Sequence, residues 1–424
     1  MRAGRTPAIT GIGVESCGGS SVAALWDALQ TGRTGLAFDP RLEELRSRCR
    51  VSGRVEDVEA RFDADPGFSP SDKRSFSRFS QLGYLAAKQA MGTEGAPSGR
   101  GGVTVGTGIG PISELEDRFR RAFTGDRPRF PGHAVCRAMP SFLSSFLARQ
   151  LGAVQGGQVV SLACTSGLLA LERACDAIRR GEADWWLVGA IEEDSPHTWL
   201  TFDSQRLLAW GPRPGEPPAR SCRPFDARAL GIVPSGGAAF VKLEALERAE
   251  DHAWAAVVGA THRLSGASGA SFMSMDPATY VEAVGDALAQ AEVAPDEVDL
   301  VVPHALSTPA DARELVALDA VLGLREHGQP VTTTRPVLGY ALAASGLLDV
   351  VTLVLQLAAG RVLPNRHIEA LAEGCLPFEA CLPRVGHEAR LRVGVKTAYA
   401  FGQGHAAVVL AREPGMKSLA EGGG

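Results

Sequence analysis

The sequence predicts an α/β protein built of two fused βαβ halves, and three observations carry that expectation. At 424 residues with 45% apolar content, the chain can bury a large core and exceeds what one ordinary sheet with its helices needs. Short β-branched runs alternate with longer stretches of helical apolar spacing, the pattern of strands joined by crossover helices. That alternation stops at a proline- and arginine-rich stretch, residues 211–223, and then starts again. The domain reading is 1–250 for one half, 251–412 for the other, and a disordered tail over 413–424.

Taken in order, residues 7–14 read as a strand closing on glycine, and 20–30 as a helix with a serine placed to cap it. The stretch 32–71, carrying Pro40, Pro66 and Pro70, has no clean period and is expected to be irregular. Helical spacing returns over 76–91, a short buried strand over 102–106, and a helix over 141–151. A strand then ends at Ala163, a helix covers 167–180 and stops at Gly181, and a strand covers 184–188. Beyond the proline-rich stretch, strands are expected at 240–243, 255–260 and 298–302, with helices at 277–291 and 310–322. A near-continuous apolar helix over 346–359 should be buried on most sides. Strands at 393–397 and 406–410 flank a Phe-Gly-Gln-Gly turn. Crossover connections imply a buried parallel sheet. The halves share this pattern without visible sequence repetition, so duplication is suggested by architecture alone.

Several function classes lose their support. A net charge of −5 with no long Lys/Arg block argues against nucleic acid as a partner. The 8 cysteines are scattered without a C-x-x-C pair, which suits reduced thiols in a cytoplasmic protein and gives no metal site. No apolar run approaches the ~20 residues of a membrane span, and the N-terminus lacks a signal-peptide core. The clusters Gly11-Ile-Gly13 and Gly106-Thr-Gly108-Ile-Gly110 follow strands but lack the G-x-G-x-x-G spacing of a dinucleotide site. Walker, H-E-x-x-H, EF-hand and G-x-S-x-G motifs do not occur.

Three residues stand out. Cys164 lies in Gln-Val-Val-Ser-Leu-Ala-Cys-Thr-Ser-Gly, where a β-rich run gives way to a helix. The positive end of a helix dipole and its unpaired N–H groups favour thiolate, and Gly167 leaves room for a substrate carbonyl. The alternative is a small buried hydrophobe. His304 ends the strand Leu-Val-Val-Pro-His, at the strand edge where such sheets bind ligands, though lone histidines are often structural. Tyr340 precedes a small-residue helix in Gly-Tyr-Ala-Leu-Ala-Ala-Ser-Gly, where packing is the ordinary role.

In this order, with Ile178-Arg-Arg-Gly-Glu-Ala-Asp184 and Arg223-Pro-Phe-Asp226 between them, these segments make the chain resemble the β-ketoacyl synthases of the thiolase superfamily. The resemblance runs from Ile9 to Gly404 and implies a thiolase-like, layered αβαβα architecture. It implies acyl transfer to Cys164, then decarboxylative Claisen condensation with a malonyl thioester. No cofactor is expected to be bound, because substrates arrive on the phosphopantetheine of an acyl carrier protein. That carrier and a second ketosynthase chain, identical or homologous, are the implied partners, in polyketide or fatty-acid biosynthesis.

The family's first histidine falls on His304, although His-Gly-Thr reads His-Ala-Leu and the loop before Asp311 and Glu314 is one residue shorter. Its second histidine falls on Tyr340, its lysine on Arg335, and the following helix's glutamate on Asp349. The Gly-Glu-Gly run reads Ser235-Gly-Gly, and the closing G-F-G-G-T-N reads Ala400-Phe-Gly-Gln-Gly-His405. Phe401 matches the gating phenylalanine, whose N–H joins that of the cysteine in the oxyanion hole. The resemblance thus assigns Cys164 as nucleophile, His304 as donor or acid/base and Tyr340 as substitute donor. Arg335 with Asp349 or Glu314 supports them from behind. Losing an enolate donor typically costs about 10²–10³ in rate, so the tyrosine matters. Two other activities stay open: acyl transfer through Cys164 without elongation, and a catalytically silent partner resembling a chain-length factor.

Overall fold

The computed structural model describes residues 5–93, 95–124, 131–212, 215–249, 251–266 and 274–419. The main strands are β1 (Pro7–Ser16), β2 (Gly101–Gly106), β3 (Gly157–Val160), β4 (Trp185–Glu192), β5 (Gly237–Ala245), β6 (Ala255–Leu264), β7 (Leu300–Val302), β8 (Val393–Tyr399) and β9 (Gly404–Ala411). They form one nine-stranded array in the order β3-β2-β4-β5-β1-β6-β9-β8-β7. Among the described residues its two halves pair over Ala8–Ala256 and Ile9–Ala255 alone, with the Trp254 N–H donating to the Ile9 carbonyl beside them, so the join between the half-sheets is short.

The halves repeat one design. Strands β2, β3 and β4 run parallel, whereas β5 lies antiparallel to both β4 and β1. In the second half β7 and β8 are parallel and β9 is antiparallel to β8 and β6, with Val331 bridged in parallel beyond β7. Numbered within each half, the order is the same, 3-2-4-5-1. The duplication suggested by the sequence is present as topology. The expected all-parallel sheet is corrected to a mixed one, and strand 240–243 closes the first sheet rather than opening the second.

The helices α1 (Val22–Thr31), α2 (Arg78–Met91), α3 (Ser141–Gln150), α4 (Ser166–Arg179), α5 (Pro277–Ala291), α6 (Ala310–Leu322) and α7 (Leu342–Ala359) set the layers. Helices α2 and α3 cover the outer face of the first sheet, and α5 with α6 packed on it covers that of the second. Between the sheets lie α4 and α7, in contact with each other and with strands of both halves. This is the αβαβα arrangement. Helix α7 has the length and hydropathy of a membrane span, but nearly all of it is buried between the sheets. Close layering depends on glycine: a Cβ on Gly13 would sit 1.9 Å from the Ala86 carbonyl oxygen of α2.

Three expectations need correction. The stretch 32–71 is ordered: Leu36–Phe38 pairs with Val51–Gly53, and short helices follow, because Asp39 caps Pro40–Glu44 and accepts a hydrogen bond from Ser52 Oγ at 2.7 Å. The strand before the cysteine ends at Val160, not Ala163. The tail is packed as far as Leu419: Met416 is buried, and Lys417 donates its N–H to Ala253 and sits over Trp254. The rest, 420–424, lies outside the described residues.

Candidate active site

Between β3 and α4 the chain makes a tight elbow. Ser166 Oγ accepts the Leu162 N–H at 2.7 Å and Thr165 Oγ1 donates to the Leu162 carbonyl at 2.9 Å. Winding the turn this tightly forces Ala163 to φ 45°, a strained value for alanine, immediately before the cysteine. Cys164 precedes the helix cap Thr165 and is 6% exposed. Burial pushes its thiol up to about 11, while Tyr340 and Arg335 pull down and Glu192 adds to the rise. The thiolate expected from the helix dipole is therefore not the resting form; desolvation outweighs it. Gly167 also has another role than expected. A Cβ there would lie 2.8 Å from the Ala343 carbonyl oxygen, so the glycine lets α4 and α7 touch.

His304 follows β7 and is 2% exposed. The loop after it is held by two acids of α6. Glu314 accepts the N–H groups of His304 at 2.7 Å and Ala305 at 2.9 Å, and Asp311 accepts that of Leu306 at 2.8 Å. Ala305 at φ 39° and Ser307 at φ 62° put backbone strain into this loop. Burial, with Lys396 and Arg335 nearby, holds the imidazole well below its usual pKa, so it is neutral.

Tyr340 is held by the segment Val233–Ser235: its N–H donates to the Val233 carbonyl and its carbonyl accepts the Ser235 N–H, both at 2.9 Å. Its hydroxyl lies 3.2 Å from His304 Nε2, with the two rings edge to face at 5.4 Å. The same hydroxyl acts on Cys164, and burial keeps it protonated, well above the usual phenol range. A neutral phenol and a neutral imidazole so placed share one hydrogen bond, in which the tautomer of His304 decides which of the two donates.

Behind them, Arg335 grips Asp349 with two bonds of 2.9 and 2.6 Å and stands 5.5 Å from the centroid of the Tyr340 ring. Phe401 occupies the turn between β8 and β9 and stacks on Phe202 at 5.8 Å. Phe202 packs on the apolar cluster of Cys164, Trp199, Leu208, Tyr340, Leu342 and Ala400. The structure thus gathers Cys164, His304 and Tyr340, with Glu314, Arg335 and Asp349 behind and Phe401 at the side. Lys396 and Tyr399 were missed. Lys396 donates to Asp349, and the Tyr399 ring lies 4.5 Å from that of His304. A lysine within the apolar run 393–399 was the available signal, since lysine is almost never buried without a partner.

Residues 6–249 match the family described as "Beta-ketoacyl synthase, N-terminal domain", and residues 254–369 match "Beta-ketoacyl synthase, C-terminal domain". The chain belongs to the β-ketoacyl synthase family. Similar ketosynthases include the tetracenomycin polyketide synthase ketoacyl synthase alpha subunit of Streptomyces glaucescens, 30% identical with 97% of this chain and 98% of that one covered. A putative polyketide beta-ketoacyl synthase 1 of Streptomyces cyaneus is 32% identical, with 97% and 99% covered. The 3-oxoacyl-[acyl-carrier-protein] synthase 2 of Coxiella burnetii is 27% identical, with 96% and 99% covered. Among solved structures, the ishigamide ketosynthase/chain length factor superposes with a TM-score of 0.84 at 24% identity, covering 97% of this chain and all of that one. This ketosynthase is a condensing enzyme of the acyltransferase class in polyketide or fatty-acid synthesis.

Proposed function

We propose that this ketosynthase condenses through an altered Cys-His-Tyr site, with Tyr340 in the place of a second histidine. The observation that carries this reading is the Tyr340 hydroxyl, 3.2 Å from His304 Nε2 and directed at the site rather than into the core. In the first step the Cys164 proton passes toward neutral His304 by way of Tyr340. The sulfur attacks the acyl thioester carbonyl, and the departing pantetheine thiolate takes up a proton. The backbone N–H groups of Cys164 and Phe401 receive the oxyanion.

In the second step a malonyl thioester places its carbonyl oxygen against the His304 and Tyr340 donors. The bond to the carboxylate breaks and carbon dioxide leaves. The enolate carbon attacks the acyl-cysteine carbonyl, and the Cys164 thiolate is expelled. Both substrates arrive on the phosphopantetheine of an acyl carrier protein, and the chain pairs with a second ketosynthase-type chain, its own copy or a homologue. One neighbouring structure is described as a type II polyketide acyl-carrier protein in complex with its ketosynthase, which supports that partner class.

The test is carbon dioxide release from malonyl carrier protein in the presence of acyl carrier protein, with products read by mass spectrometry. Wild type should release carbon dioxide and extend the chain by two carbons, and Cys164→Ala should do neither. An acyl group that loads Cys164 and moves on without extension would assign transfer alone. Pathway output that survives Cys164→Ala in the presence of a partner ketosynthase would assign the silent role.

A further inference from the structure

Lys396 lies in the middle of β8, 0% exposed, with its side chain directed into the central layer beside α7. Its ammonium donates to Asp349 Oδ2 at 2.6 Å and to the Pro303 carbonyl at 2.9 Å. Asp349 does not need it. That carboxylate already accepts two bonds from Arg335, at 2.9 and 2.6 Å, and one from Thr334 Oγ1 at 2.9 Å. A second buried cation on an acid already held by a guanidinium is a desolvation cost that folding does not explain.

What Lys396 adds is the Pro303 carbonyl. That carbonyl and the His304 N–H belong to one peptide group, and Glu314 accepts the N–H at 2.7 Å. The peptide that sets the direction of the imidazole is therefore gripped at both ends, by a cation from β8 and an anion from α6. We infer that Lys396 is a positioning residue of this site: with Glu314 it clamps the Pro303–His304 peptide, and it fixes a positive charge beside the His304 ring. The inference rests on the reading of His304 as a donor or acid/base in condensation.

The charge has a direction of effect. After burial itself, Lys396 and then Arg335 hold His304 well below its usual pKa. The other groups around the ring come from separate elements. Tyr340 and Tyr399 are neutral phenols whose pKa burial raises well above the usual range. Cys164 is a thiol, and Asp349 is paired with Arg335. From α6 come Glu314 and Asp311, whose carboxyls burial pushes up, Asp311 to about 7, while backbone N–H groups oppose the rise. Removing Lys396 takes away one of the two nearby cations that oppose an imidazolium, so the pKa of His304 should rise while burial and Arg335 still hold it down.

The experiment uses the full chain with Lys396→Met, which removes both tether and charge, and Lys396→Gln, which keeps a donor for the Pro303 carbonyl. Melting curves are expected to show both variants folded, because Asp349 keeps Arg335; if Lys396→Met does not fold, Lys396→Gln carries the readout. For Lys396→Met, kcat for condensation at pH 7 should fall about 10–100-fold with KM little changed, as expected of a misplaced group. The deficit should grow as the pH falls, since protonated His304 cannot act as base. Lys396→Gln should recover part of kcat near pH 8 and keep the raised acid limb. A variant-to-wild-type ratio that is flat with pH, or an unchanged kcat, overturns the inference. His304 is followed independently by NMR of histidine-labelled protein, assigned with His304→Gln. Its titration should move up in both variants, because a cation beside the ring is gone. Wild type that releases no carbon dioxide defeats the condensation reading, whereas His304 titrating identically in wild type and variants defeats this one.

Discussion

Cys164 keeps its proton at neutral pH because a nearly closed apolar surrounding costs an anion more than the helix start returns. Its free thiol should accordingly be alkylated by iodoacetamide slowly at pH 7, the rate rising about tenfold per pH unit toward pH 9. Digestion and quantification of the Cys164 peptide measures this, and a rate already flat at pH 7 would show a resting thiolate. Tyr340→Phe removes one O–H and little volume. Carbon dioxide release should drop about 10²–10³-fold while acyl loading of Cys164 stays within a few-fold. Equal losses in both steps would place Tyr340 in nucleophile activation alone. Motif and order single out Cys164, His304, Tyr340, Arg335 and Asp349 in the sequence, and the structure brings these side chains together. The protonation state was not. It depends on how deeply Tyr340, Trp199 and Leu208, distant in sequence, enclose the sulfur. Lys396 was passed over for a related reason. Periodicity marks 393–399 as a strand, but only the packed layers show that Asp349 and Pro303 meet the ammonium.

Elements were legible where their apolar period was long. Helices 277–291 and 310–322 run between the bounds read from the sequence, and most others differ by a few residues at their ends. The pair Leu36–Phe38 and Val51–Gly53 was illegible because three-residue strands carry no period; side-chain bonds of Asp39 hold them. The close approach of α2 to β1 was illegible too, since Gly11 and Gly13 read only as a glycine cluster in a strand until a helix is laid on them. A Cβ at Gly13 would stand 1.9 Å from the Ala86 oxygen and 2.7 Å from the Ala90 nitrogen, both backbone atoms that cannot turn aside. Gly13→Ala should force α2 off the strand and destabilise the protein by about 1–3 kcal/mol or more. Denaturant unfolding measures the loss, and an unchanged midpoint would mean that α2 can slide without cost.

At the scale of the whole molecule, the sequence divides the chain near residue 250, yet the central layer does not respect that division. Helix α4, from the first half, packs on β6 of the second; α7, from the second half, packs on β4 and β5 of the first. Each half alone would expose the apolar face that the other's helix covers, and the active site would be split, with Cys164 on one piece and His304 and Tyr340 on the other. The two halves are therefore expected to be one folding unit, despite their repeated topology. Native-state hydrogen exchange should show α4 and α7 sharing the highest protection with strands of both sheets. Fragments 1–250 and 251–424 expressed separately should be insoluble or bind a hydrophobic dye, and mixing them under refolding conditions should restore Cys164 acylation. Two separated unfolding transitions in the intact chain, or a folded lone fragment, would show that the halves are autonomous. The site between them would then be an interface rather than a core.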